Sequence, residues 1–222
     1  MMIAYPAADI CCELNEDKTL TITIENQHIF YDIITDIQSQ LEGNNGEFTI
    51  SENYQPLDMR KNTELITQFV PFTVNQRELV SKLHTVLKKK AVDETLYQST
   101  QEIISNISEY LYKLTEEQDM ELTITVPEEI SGILKAFDLR FDDNELSLSE
   151  KILEYIISSS ELKGKTLFIT VNLRSYLTDT QTEQLFQSLL LKKIQLICIE
   201  SSEHERLKNE KVIIIDKDMC TI

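Results

Sequence analysis

The chain has 222 residues, 41% of them hydrophobic, with only 4 Gly and 4 Pro, which is enough apolar material for a sizeable core and excludes a wholly disordered or low-complexity protein. No apolar run approaches the roughly 20 residues of a membrane helix, and Asp9, close behind an N-terminus without basic residues, does not fit a signal peptide. The formal net charge of −17 argues against a polyanion-binding surface spread over the whole protein.

Ile10 to Leu14 and Leu20 to Ile24 are short β-rich runs separated by Asn15-Glu-Asp-Lys18, which predicts a hairpin-like turn between two strands. Asn26 is placed to cap a helix carrying Ile29, Phe30, Ile33, Ile34, Ile37 and Leu41, ended by Gly43. Gly43 to Gly46 reads as a turn, Phe48 to Ile50 as a short strand, and Leu65 to Val70 as another, closed by Pro71. Helices follow. Asn75 is the expected cap of one with Leu79, Val80, Leu83, Val86 and Leu87, ending in three lysines. Asp93 begins a longer one in which Leu96, Thr100, Ile103, Ile107, Tyr110 and Leu114 recur near heptad spacing, as in an elongated helical pair. Thr125-Val-Pro-Glu128 and Ser147-Leu-Ser-Glu150 both have capping-box spacing.

The clearest stretch runs from Lys165 to Glu200. Thr166 to Val171 is a short apolar, β-rich run. Thr178-Asp-Thr-Gln181 is a capping box opening a helix with Leu185, Phe186, Leu189 and Leu190, and Ile194 to Ile199 is an apolar run without alternation. Strand, helix and strand in that order make a crossover unit of a parallel sheet. Val212 to Ile215 is the expected final strand. The sequence therefore reads as an α/β head over residues 1–73 and 163–222, interrupted by a helical leg over 74–162.

Little of the chemistry points to catalysis. Cys11, Cys12, Cys198 and Cys220 lack metal-ligand spacing and read as reduced cytosolic thiols, placing the protein in the cytoplasm. His28, His84 and His204 accompany no nucleophile signature, so no catalytic residue is expected. Gly164-Lys-Thr166 resembles the tail of a phosphate-binding loop but precedes its strand, whereas such a loop must link a strand's end to a helix N-terminus.

Charge is unevenly placed. From Arg60 to Lys90, Arg60, Lys61, Arg77, Lys82, Lys88, Lys89 and Lys90 stand against only Glu64 and Glu78. From Ala91 to Glu161, 17 acids stand against 4 bases, counted along the chain. The basic segment fits either a concentrated positive surface or a solvated helix with a lysine-rich end. Glu116, Glu117, Asp119 and Glu121 crowd together, with Asp142 and Asp143 after the next short helix. They fit either a solvated acidic face or oxygen ligands for calcium, which tolerates irregular geometry.

The run Lys165 to Asn172, Tyr176-Leu-Thr178 opening a helix, and Ile194 to Glu200 together resemble the small CRISPR-associated adaptation proteins of type II-A loci, the Csn-two family. Thr67 to Asn75, the acid-rich Glu116 to Glu121 and Leu134-Lys-Ala-Phe-Asp138 extend the resemblance over nearly the whole chain. It implies a head related to P-loop ATPases with an elongated helical leg, and a ring-shaped homotetramer without enzymatic activity that binds double-stranded DNA ends through a positive central hole. It also implies a need for calcium, here at Glu117, Asp119, Glu121, Asp142 and Asp143, and a role in spacer acquisition beside the CRISPR integrase complex and the type II effector nuclease. Arg60, Lys61, Arg77, Lys82, Lys88, Lys89 and Lys90 would line the hole. A protein-interaction scaffold whose leg recruits partners and whose lysines are incidental is the alternative.

Overall fold

Local chemistry sets most element boundaries in the computed structural model, which describes residues 1–116 and 118–220. The strands are β1 (Met2–Tyr5), β2 (Ile10–Glu13), β3 (Thr19–Ile24), β4 (Thr49–Glu52), β5 (Gln55–Pro56), β6 (Thr63–Ile66), β7 (Leu167–Val171), β8 (Gln195–Glu200) and β9 (Glu210–Ile215). The helices are α1 (Gln27–Leu41), α2 (Met59–Asn62), α3 (Arg77–Ala91), α4 (Tyr97–Glu116), α5 (Ser131–Ala136), α6 (Leu148–Lys163) and α7 (Asp179–Leu191). The chain divides into two compact units, Met1–Val74 with Asp143–Ile222, and Asn75–Asp142.

In the first unit a parallel sheet runs β6-β7-β8-β3-β9. The strand–helix–strand unit β7-α7-β8 is present, with β7 and β8 adjacent and parallel. Every residue of β3 and β7 is buried, as happens when both faces of a parallel sheet are covered. On one face Ile22, Ile169 and Ile197 share a buried cluster with Ile33 and Ile37 of α1 and with Ile3, Ile10 and Ile50 of the antiparallel sheet β2-β1-β4-β5. On the other, α6 and α7 pack together and bury Ile152, Tyr155, Ile156, Leu185, Phe186 and Leu189. Each such side chain contributes about 1.5–3 kcal/mol relative to leaving it in water. Glu64 of β6 accepts from Tyr155 Oη and from Lys163 Nζ, tying the inner side of α6 to the sheet edge.

Both capping boxes flanking this core form. Ser147 and Glu150 cap α6, Thr178 and Gln181 cap α7, and Gly164 closes α6 in the left-handed region at φ 72°. Asn26 Oδ1 accepts from the backbone N–H groups of His28 and Ile29 at the start of α1.

Several expectations are corrected. β2 and β3 are not a hairpin: β2 pairs with β1 in the antiparallel sheet, and β3 lies between β8 and β9. The burial patterns give the reason, since β2 alternates buried and exposed while β3 buries its threonines as well as its apolar residues. The strand expected over Leu65 to Val70 ends at Ile66. The helical excursion is shorter than 74–162, because the second unit ends at Asp142 and α6 packs against α7 in the first.

The second unit, Asn75–Asp142, contains α3, α4 and α5 and no strand among its described residues. The N-cap position of α3 is Gln76, one residue later than expected, and the Asn75 amide exchanges two hydrogen bonds with the Phe141 backbone. Thr125 caps nothing, and α5 starts after Ile130 without a side-chain cap. α3 and α5 pack together, and His84 Nε2 lies 2.7 Å from the Leu139 carbonyl. α4 is turned against its own amphipathic pattern. It buries Thr100, Ile104 and Ser108 and leaves Ile103, Ile107, Tyr110 and Leu114 exposed.

Candidate nucleic-acid interface

α3 carries most of the basic residues, and its geometry separates them. At about 100° per residue, Arg77 and Lys88 fall on one line of the helix, while Lys82 and Lys89 fall on another about 120° round it. Lys90 lies nearer the apolar side defined by Leu79 and Leu83. Arg77, Lys82, Lys89 and Lys90 are exposed, and the lysines in the last turn suit the negative end of the helix dipole. Lys88 is committed elsewhere, because its ammonium lies 2.6 Å from Glu129 Oε1. That contact and a hydrogen bond from Ser131 hold the Glu129 carboxyl below its ordinary range.

Arg60 and Lys61 belong to the first unit and sit on α2. Arg60 lies over the C-terminal end of α1, where a Cβ at Gly43 would come within 3.0 Å of its Nη1. Gly43 has φ 102°, so glycine is required there by backbone as well as by space. Lys61 makes a loose, exposed pair with Asp58 at 3.8 Å. Lys165, just ahead of β7, donates to the Arg60 carbonyl. The first unit thus gathers Arg60, Lys61 and Lys165, and the second displays the α3 bases.

Among the described residues the acidic side chains are not gathered into a cluster of three or more that could hold a metal ion. Glu116 ends α4, Asp119 and Glu121 lie exposed in the irregular segment that follows, and Glu117 is outside the described residues. Asp143 Oδ2 accepts from Thr73 Oγ1 at 2.6 Å and from the Val74 N–H at 2.9 Å, so it braces a backbone segment. Among the described residues no three Asp, Glu, His or Cys side chains gather closely enough to hold a metal ion. The described residues of one chain do not by themselves gather into a calcium site.

Among the described residues no glycine-rich loop links a strand to a helix N-terminus. β3 passes into α1 through Glu25 and Asn26 alone. Asn26 already occupies the first helical N–H groups, and Glu25 adds an anion beside them. Gly164 serves as a helix cap ahead of β7.

Sequence reasoning missed a buried charged network at the strand ends. Arg174, just after β7, reaches Glu210 of β9 through Nη1 at 3.3 Å, and through Nη2 it reaches Asp179 of α7 and the Glu205 carbonyl at 2.7 and 2.8 Å. Thr21 Oγ1 of β3 also donates to Glu210. Glu200, the last residue of β8, is fully buried and accepts from the Arg174 N–H. The available signal was weak: charged residues at strand ends ordinarily point to water.

Residues 40–219 match the family model described as CRISPR-associated protein (Cas_Csn2). A solved structure of cbiO1 from Clostridium perfringens, part of the ABC transporter complex cbiONQ, is similar at 13% identity and TM-score 0.42, covering 87% of this chain and 71% of that one. That likeness is too slight to carry an argument.

Proposed function

The chain belongs to the CRISPR-associated Cas_Csn2 family, and from that premise we propose that it binds ends of double-stranded DNA without sequence preference, as a ring-shaped homotetramer assisting spacer acquisition. In this reading the first unit is the head, of a kind related to P-loop ATPases but without enzymatic activity, and Asn75–Asp142 is the leg. The protein works in the cytoplasm beside the CRISPR integrase complex and the type II effector nuclease. The observation that supports it best is the exposed set Arg77, Lys82, Lys89 and Lys90 on one helix of an otherwise acidic chain. Lysines meet phosphates as point charges, which suits a protein that accepts any sequence. The exposed apolar stripe of α4 supports self-association, since faces of this kind mark interaction surfaces. Calcium dependence rests on the family resemblance alone and gains no support from the described acids of one chain.

The same stripe favours the second reading, a scaffold that recruits partner proteins. One binding experiment separates them. Linear duplex should bind with log K falling linearly with log salt, by about 0.9 per phosphate neutralised. Covalently closed circles should not bind, because a closed ring loads only from an end. Replacing Lys88, Lys89 and Lys90 with Glu should abolish binding in a folded protein, and EDTA should weaken it. Unchanged affinity in that variant selects the scaffold, and tight binding to relaxed circles excludes loading from an end.

A further inference from the structure

The segment between β8 and β9, residues 201–209, has no helix or strand and is pinned by side chains of the buried network. Ser201 N–H donates to Asn172 Oδ1 at 2.9 Å, Arg174 Nη2 donates to the Glu205 carbonyl at 2.8 Å, and Leu207 N–H donates to Glu210 Oε2 at 2.9 Å. The remaining attachment is incomplete. His204 Nε2 stands 3.6 Å from Glu200 Oε2, beyond hydrogen-bond range, and both atoms are buried without a hydrogen-bond partner, as is Arg174 Nε. Two orphaned polar atoms facing each other in a buried site carry a desolvation cost that one proton between them would remove. We propose that Glu200 and His204 share a single proton, and that this proton fastens the 201–209 segment over the end of the sheet.

The surroundings suit such a pair. Among the described residues Arg174 is the cation that acts on the pair, against Glu210 on β9 and Asp179 on α7, and the Cys198 thiol near Glu200 is kept neutral by burial. With Glu200 ionised and His204 neutral, three carboxylates would share one guanidinium. Burial pushes the Glu200 carboxyl up from its ordinary 4.5 to about 7, against the opposing pull of the Arg174 N–H. Burial, then Arg174, pushes His204 below its ordinary 6.5.

The two shifts have opposite consequences for the fastened state. The raised carboxyl favours closure while protonated, and this is lost as pH rises from 4.5 to about 7. The lowered imidazole favours closure while neutral, and this is lost as pH falls below 6.5. Together they cancel over much of the mildly acidic range, where the open and closed forms each hold one proton.

The test is hydrogen–deuterium exchange of the full chain, followed in the 201–209 peptide between pH 5 and 8 and corrected for intrinsic rates, with far-UV circular dichroism confirming the fold. Opening in the unaltered protein should change little just below pH 6.5, where the two shifts oppose each other, then rise about threefold towards pH 7 and level off. His204→Gln removes the compensation, so opening should rise up to tenfold per pH unit until about pH 7. Glu200→Gln should reverse the slope, with opening falling as pH rises to about 6.5. The His204→Gln arm suffices if the buried Glu200→Gln change impairs folding. A flat profile or a common slope in the variants would overturn the shared proton and leave His204 as packing.

Discussion

α1 and α4 are both amphipathic helices with isoleucines at helical spacing, and they use them in opposite ways. α1 buries Ile33 and Ile37 completely between two sheets, whereas α4 leaves Ile103 and Ile107 47% and 40% exposed and buries Ile104 beside Thr100 and Ser108. The difference separates apolar residues that hold a fold together from apolar residues that a single chain leaves exposed. Periodicity identifies a helix and its stripe without saying whether the stripe is covered by the same chain.

The comparison breaks most visibly under charge. Ile37→Asp should cost α1 more than the roughly 2–5 kcal/mol of a truncation to Ala, because it also buries an unpaired carboxylate, and a denaturant melt should show little folded protein. Ile107→Asp should leave the melt of the dissociated chain within about 0.5 kcal/mol, as for other exposed sites, while sizing chromatography shows a smaller assembly. Equal losses of stability would mean that α4 packs within one chain after all. A smaller contrast concerns the starts of the two helices. Asn26 Oδ1 caps α1 directly, while Asp93 Oδ1 takes the N–H groups of Thr95 and Leu96 one turn ahead of α4. Asn26→Ala should cost about 1 kcal/mol in the melt, and Asp93→Ala should cost less, because it frees a turn at an already exposed end. The smallest effect belongs to the exposed pair Glu109–Lys113 on α4, 2.6 Å apart. Replacing both residues with Gln should leave the melt unchanged in 1 M salt and nearly unchanged in dilute buffer.

What the sequence made legible follows the same division. β7, α7 and β8 could be read because each signal there is local: an unbroken apolar run, a capping box that forms as spaced, and a second apolar run. Membership of α6 in the first unit could not be read, since it depends on Ile152 and Ile156 meeting α7 and on Tyr155 and Lys163 meeting Glu64, about a hundred residues earlier in the chain. The paired runs before Asn26 misled for a related reason, because adjacent strands separated by a short polar turn resemble a hairpin until their partners are known. Among the basic residues, sequence identified which carry charge but not which are already paired. Lys88 and Glu129 are 41 positions apart (129 minus 88), and nothing local links them. The network around Arg174 was illegible for the same reason, being assembled from four strand and helix ends.

The position of β3 in the sheet has a consequence for how the protein comes into being. It is made long before either of its neighbours, β8 at Gln195–Glu200 and β9 at Glu210–Ile215. During synthesis Thr19–Ile24 therefore has neither permanent neighbour and offers a strand with high β-propensity and no charge, the kind of segment that pairs with other chains while it waits. Asn75–Asp142, built from helices whose contacts are mostly closer along the chain, has no such delay. Nascent chains should thus carry a folded helical unit before they own the parallel sheet, and the interval in which they are vulnerable is set by how fast the ribosome reaches residue 215.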